Sequence, residues 1–149
     1  MRVREIEQVD GRRTFVIVFD AGEEVAEGLL GFARGRRLGG AHFSAIGALS
    51  EVTLGFWDGS AREYRRIPVH EQVEVLSLSG NVAMTSEREP KVHAHLVVGK
   101  ADGTAHGGHL LAGRVRPTLE VFLVEVPARL CRRFDPQTGL ALLDPDASA

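Results

Sequence analysis

Apolar and polar residues alternate with a period of two over most of the chain, the spacing of half-buried strands. Arg2 to Gln8 alternates in this way and stops at Asp10-Gly11, a pair that favours a tight hairpin turn. Arg13 to Phe19 is rich in β-branched and aromatic residues and predicts a buried strand. The period then changes. Val25, Leu29, Phe32 and Ala33 recur at helical spacing. Asp20 stands as the N-cap of this helix, with Glu23 as its capping-box partner and Glu24 also favourable to the helix start. Leu38-Gly39-Gly40 ends it after a basic last turn of Arg34, Arg36 and Arg37.

Beyond the helix the two-residue period returns. His42 to Leu49 is a strand in which Gly47 marks a bulge or a close approach. Val52 to Trp57 and Arg62 to Ile67 form a hairpin about Asp58-Gly59-Ser60, and Val73 to Met84 is a further strand. Thr85 to Lys91 is polar, contains Pro90 and predicts a loop. Val92 to Gly99 and Thr104 to Leu111 flank Lys100-Ala101-Asp102-Gly103, and Leu119 to Pro127 is the last long strand. Asp135 to Gly139 is a turn, and Leu140 to Leu143 a small edge strand. The fold class predicted is α+β, with one main helix and a largely antiparallel sheet of about seven strands. No repeat or linker divides the chain, so residues 1–149 are expected to form a single domain with a core over about 10–130 and an extension over 131–149.

Composition narrows the class. The chain has 149 residues, 44% hydrophobic and 26% charged, which excludes a disordered chain, a coiled coil and a collagen. A chain of this length buries roughly 70% of its unfolded surface and needs no disulfide to fold. Cys131 is the one cysteine, so no intrachain disulfide forms, and a lone thiol fits a reducing compartment. The net charge of −2 argues against a globally basic nucleic-acid binder. A basic face would have to come from Arg34, Arg36 and Arg37 together with Arg62, Arg65 and Arg66. The start of the chain is charged and lacks an apolar signal segment. The most apolar stretch, Leu119 to Val126, carries two Glu and falls far short of a spanning helix. A soluble, cytoplasmic protein without a membrane partner is expected.

The candidate chemistry lies in the histidines. His93 and His95 share a strand face. A three-residue turn Ala101-Asp102-Gly103, with Gly103 in the left-handed region, pairs Lys100 with Thr104. Counting outward, His109 then sits opposite His95 on the same face, and His106 sits opposite Val98 on the other. A two-residue turn or a bulge at Gly107-Gly108 would reverse that parity. Three imidazoles at adjacent strand positions suit a divalent metal, zinc above all, with a fourth position left for water or substrate. A polar cluster bonded to carbonyls is the alternative. Binding needs neutral rings, so it is expected to weaken as pH falls through roughly 6.5.

Several stretches carry a family resemblance. They are Ala45-Ile46-Gly47-Ala48-Leu49-Ser50-Glu51-Val52, Val73 to Val82, His93-Ala94-His95, Asp102-Gly103, Gly107-Gly108-His109-Leu110-Leu111 and Pro117-Thr118-Leu119-Glu120-Val121. In this order and spacing, from about residue 10 to 130, the chain resembles the plants and prokaryotes conserved (PPC) domain. The resemblance implies a homotrimer around a curved sheet and, as in some prokaryotic members, a metal held by His93, His95 and His109. In plants the domain follows DNA-binding AT-hooks; in bacteria and archaea it usually stands alone. Here Arg34-Gly35-Arg36 imitates a hook, but Arg37 stands where the hook has Pro and the triplet ends a predicted helix. The function that the resemblance implies first is that of a standalone PPC-domain protein, DNA-binding or regulatory by the label such members often carry, with a three-histidine metal site in a homotrimer; without a hook, DNA is expected to be a weak partner.

A more distant resemblance is to acetolactate decarboxylase, which also holds zinc through a His-x-His and a later His. It implies a zinc-dependent enzyme acting on a small oxygenated molecule, with zinc as a Lewis acid. Glu74 or Glu120 would then act as acid or base, and Arg114 or Arg116 would grip a carboxylate. Alternation sets Glu120 and Phe122 on one face and Val121 and Leu123 on the other, and leaves open which face meets the histidines. A pure assembly module is the third class. Ser44, Ser77 and Ser79 lack a nucleophile-elbow sequence. Cys131, beside Arg129, Arg132 and Arg133, reads as a packed thiol more readily than a reactive one. His42 and His70 are expected to bond locally, and His106 to be exposed on the back of its strand.

Overall fold

The computed structural model describes residues 1–147. The strands among them are β1 (Arg2–Val9), β2 (Arg12–Asp20), β3 (Gly40–Asp58), β4 (Glu63–Val69), β5 (Val73–Met84), β6 (Pro90–Gly99), β7 (Ala105–Glu125), β8 (Cys131–Asp135) and β9 (Leu140–Asp144). The helix α1 spans Val25–Arg36. The pairings are antiparallel except for the short contact of β5 with β8. Nine strands replace the expected seven or so, because the C-terminal extension folds into the β8–β9 hairpin. In the opposite sense, segments expected as separate short strands fuse into two long ones, β3 of 19 residues and β7 of 21.

Bulges account for the fusion. Along β3 the register shifts at Ala45/Gly47 against β5, and at Gly47/Leu49, Leu49/Glu51 and Thr53/Leu54 against β7. A bulge bends its strand without ending it. Gly47 has φ +149°, and a side chain there would strike the β7 backbone at Thr118 and Leu119. The first half of β3 therefore pairs with β5 and the end of β7, and its second half with β4 and the start of β7. β6 joins β5 to the start of β7, so β3, β5, β6 and β7 close into a ring.

Inside the ring and beneath α1 lie Phe15, Phe19, Leu29, Leu49, Leu78, Leu119 and Leu123, all fully buried. Each such side chain contributes about 1.5–3 kcal/mol by leaving water. Val25, Leu29, Phe32 and Ala33 form the buried face of α1, as their spacing predicts, and Phe32 meets Phe15 edge-on at 5.1 Å.

The helix caps differ from expectation. Asp20 is the last residue of β2, paired with Thr118, and lies too far before the helix, which begins at Val25, to cap it. Its backbone N–H does donate to Glu23, but Gly22, at φ +90°, turns the chain away and bonds Val115. The N-cap is Glu24, whose Oε2 accepts from the Glu27 N–H at 2.6 Å and whose Oε1 accepts from the Gly113 N–H at 2.8 Å. At the other end Arg37, not a glycine, takes the left-handed position (φ 53°, ψ 44°). Leu38 then turns into the core, with its N–H bonded to the Ala33 carbonyl.

Three hairpin turns share one device, an aspartate that accepts the N–H groups of its own turn. Asp58 accepts from Ser60 and Ala61, Asp102 from Thr104, and Asp135 from Gln137 and Thr138. Such a carboxylate replaces backbone acceptors that a short loop cannot supply. No helix among the described residues is long and apolar enough to cross a membrane.

Candidate metal centre

The β6–β7 turn has the expected form. Lys100 and Thr104 pair, the Gly103 N–H bonds the Lys100 carbonyl, and Gly103 has φ +81°. With no bulge at Gly107-Gly108, His95 lies opposite His109 and Val98 opposite His106. The parity count therefore holds, and His106 is exposed on the other side.

His93, His95 and His109 meet on the outer face of the sheet. Each offers a ring nitrogen, and the three nitrogens lie within 4.8 Å of one another. The Nε2 atoms of His93 and His95 are 3.1 Å apart, close to the roughly 3.3 Å that separates two nitrogens bound at about 2.05 Å to a tetrahedral ion. His93 and His95 could share one proton, but Nδ1 of His109 is buried with no hydrogen-bond partner. A buried ring nitrogen without a partner is costly, and an ion bound at that atom would satisfy it. The donor set fits a divalent metal of zinc type.

Burial lowers the pKa of two of the three rings. Desolvation pushes His109 down to about 4, with the charges of His93 and His95 adding to it. Desolvation also lowers His93, helped by the Arg132 charge. His109 is therefore neutral at pH 7 and still so at pH 6.5, and for both rings the proton competition lies lower than the ordinary histidine value suggests.

The surroundings of the cluster were not legible in the sequence. The Tyr64 ring, on β4, stacks on His109 with centroids 4.7 Å apart. Gly55 makes this possible. It pairs with His109, and a Cβ there would sit 2.9 Å from the Tyr64 ring. A glycine within an alternating strand was the available signal. From β8, Arg132 reaches the same place. It is 7% exposed, donates to Asn81 Oδ1 at 2.5 Å and to the Ala141 carbonyl at 3.1 Å, and leaves its Nε–H unpaired.

The other candidates lie elsewhere. Pairing places Glu120 opposite Ile46 and Phe122 opposite Ser44, and Ser44 runs on through Ser79 to His95. Glu120 and Phe122 thus share the histidine face, while Val121 and Leu123 face the core. Even Phe122, in the row of His95, is three strands away, roughly 14 Å at about 4.8 Å per strand. Glu120, in the next row, cannot reach the ring nitrogens within one chain. Arg114 bonds the Gly22 carbonyl at 2.7 Å and pairs with Glu51. With Glu24 and His70 it lines a separate small cavity. Arg116 is exposed, and Glu74 lines a groove with Lys100. His42 is exposed two strands from His93, across Asn81. Cys131 is half-buried at the β5–β8 contact. Among the arginines, Arg34 pairs with Glu89, Arg36 lies over the rings of Phe15 and Phe32, and Arg65 lies over Phe56.

The model of the Plants and Prokaryotes Conserved (PCC) domain matches residues 6–127. The chain belongs to the PCC family. Solved structures bear this out across its length. The metal-containing protein of Archaeoglobus fulgidus is 36% identical, with a TM-score of 0.82, 96% of this chain and 99% of that one being covered. The plant- and prokaryote-conserved protein of Pyrococcus horikoshii is 33% identical with a TM-score of 0.83, covering 89% and 91%. A Ralstonia eutropha chain that bears the name "Putative DNA-binding protein" is 30% identical with a TM-score of 0.81, covering 87% and 90%. The PCC chain also matches Synechococcus proteins named bifunctional protein GlmU, at 36% identity over 121 residues for one of them, and spans 18% of that relative's length. A Staphylococcus aureus protein similar to alpha-acetolactate decarboxylase shares the fold alone, at 13% identity and a TM-score of 0.54.

Proposed function

We propose that this PCC chain forms a homotrimer in the cytoplasm and holds one divalent metal ion, zinc by donor type, through His93, His95 and His109. The observation that carries the reading is the convergence of three ring nitrogens within 4.8 Å, in a cluster where His109 Nδ1 is buried and without a hydrogen-bond partner. The Archaeoglobus protein, named for its metal, supports it by likeness. Three neutral imidazoles leave a coordination position open, and an ion there would polarise the oxygen of a bound small molecule. The trimer draws support from the sheet face itself. Ile46, Val97 and Phe122 lie on the histidine side and are 60%, 41% and 52% exposed. Apolar residues gathered on one sheet face mark a surface that another copy covers, and closed symmetry is the common outcome. The chain is read as one domain, with residues 131–147 adding the β8–β9 hairpin beside the site.

DNA binding is the second reading. It is favoured by the name of the Ralstonia protein and by a groove in which Arg34, Arg37, Arg88 and Arg129 gather. The test of the first reading is metal analysis after chelation and zinc addition, alongside light scattering. One zinc per chain at a trimer mass supports it; no zinc uptake contradicts the site, and a monomer mass contradicts the assembly.

A further inference from the structure

Arg132 is the one charged residue among the described residues that is buried. A guanidinium carries five N–H donors and a permanent positive charge. Two of its donors meet Asn81 and the Ala141 carbonyl, both neutral acceptors, and Nε–H meets nothing. No carboxylate among the described residues pairs with it. Burying a charge without a counter-charge is among the most unfavourable arrangements in a folded protein. Burial accordingly lowers the pKa of this arginine, and the pull of the Tyr64 phenol is the only opposing influence. The group that normally offsets such a charge is an anion.

The space for one is present. Arg132 lines a cavity of about 120 Å³ together with His93, His109 and Tyr64. At about 30 Å³ for each water, this is the room of roughly four water molecules. The field inside has one sign, since Lys91 also borders it and no acidic residue does. The remaining wall, formed by Val92, Leu140 and Leu142, is apolar. The lining thus offers a permanent positive charge and a hydrocarbon surface. That combination matches a carboxylate with a short apolar tail better than phosphate, whose oxygens would all need polar partners.

We propose that this cavity is a binding site for a short-chain carboxylate, gripped by Arg132 beside the three histidines. The proposal deepens the metal reading by naming the ligand class, and it rests on that reading for what the bound molecule meets at the histidine end. Its electrostatics do not depend on the ion, because the unpaired guanidinium is there with or without it. Arg132 lies beyond the residues matched by the family model, so the C-terminal hairpin supplies the charge of a site whose other side is the matched domain.

The test is a titration of the isotope-labelled full chain with sodium acetate, followed by nuclear magnetic resonance, in zinc-loaded and metal-free forms. The Arg132 Nε–H resonance and the Tyr64 ring resonances should shift together and saturate, while sodium chloride at matched ionic strength should leave them in place. Arg132→Met should weaken the Tyr64 response by about tenfold or more, the loss expected when a charged hydrogen-bond partner is removed. Arg132→Lys, which keeps the charge, should give an intermediate response and covers the case in which the Met variant does not fold. Unmoved Arg132 and Tyr64 resonances in both forms, or an acetate response unchanged in Arg132→Met, would overturn the proposal. Inorganic phosphate binding more tightly than acetate would overturn the carboxylate assignment. A chain that takes up no zinc yet binds acetate through Arg132 would sink the metal reading and uphold this one. Zinc uptake with a silent Arg132 would do the reverse.

Discussion

At the residue scale, the centre depends on what is left out as much as on what is present. Gly55 has no side chain where β3 passes His109, and the Tyr64 ring fills that space. Gly55→Val would drive a branched side chain against the Tyr64 ring at 2.9 Å and Leu111 at 3.1 Å. Overpacking of this kind costs about 1–3 kcal/mol. Thermal unfolding should report that loss, and the Tyr64 ring resonances should show the ring displaced from His109. An unchanged melting temperature would mean that the strand absorbs the side chain and that Gly55 does not hold the stack in place. The three metal candidates were legible because strand parity and turn length are enough to count a register. Tyr64 and Arg132 were not, because they arrive from β4 and β8, whose placement against β6 and β7 depends on packing that no local pattern records.

At the scale of elements, strands were legible and their ends were not. Alternation located the strand residues, including Val73 to Met84 at both bounds. It could not tell a bulge from a break, so Gly47 and the segment around Ser50 read as boundaries where β3 runs through them. The helix start moved for a similar reason: pairing of Asp20 with Thr118 outweighs its preference for capping. Glu24→Ala should therefore remove both the cap and the bond to Gly113 and cost about 1–2 kcal/mol. Asp20→Ala should matter less in the same denaturant titration; the opposite ranking would restore Asp20 as the cap.

The hairpins give the pH dependence of this scale. Hydrogen bonds from turn N–H groups lower the carboxyls of Asp58, Asp102 and Asp135, with side-chain hydroxyls contributing the largest share at Asp102 and Asp135. A folded pKa below the unfolded value means that the unfolded chain takes up protons first. The stabilisation is present above the ordinary carboxyl value of about 3.9 and is lost as pH falls through the lowered folded values. Replacing Asp58, Asp102 and Asp135 by Asn should flatten the stability profile in that acid range. A profile that stays as steep as that of the wild type would assign acid lability to other groups.

At the scale of the whole molecule, the proposed trimer rests on the open sheet face. Phe122→Asp places a charge among Ile46, Val97 and their neighbours and should shift the light-scattering mass from trimer toward monomer. A trimer unaffected by it would place the interface elsewhere. The arginine groove is the other surface with a consequence. With a net charge of −2, binding to random duplex DNA should be weak and should fall steeply with salt. A tight complex insensitive to salt in a fluorescence titration would mean that a far more extensive basic face exists than these arginines provide.

Metal analysis of two single variants tests the central claim most directly. His95 and His106 lie one strand apart from each other in register but on opposite faces, so they separate the site from its surroundings. After chelation and zinc addition, wild type and His106→Ala should each hold one zinc per chain, and His95→Ala should hold none, with all three chains folded by circular dichroism. Zinc retained by His95→Ala, or lost from His106→Ala, would contradict the three-histidine centre.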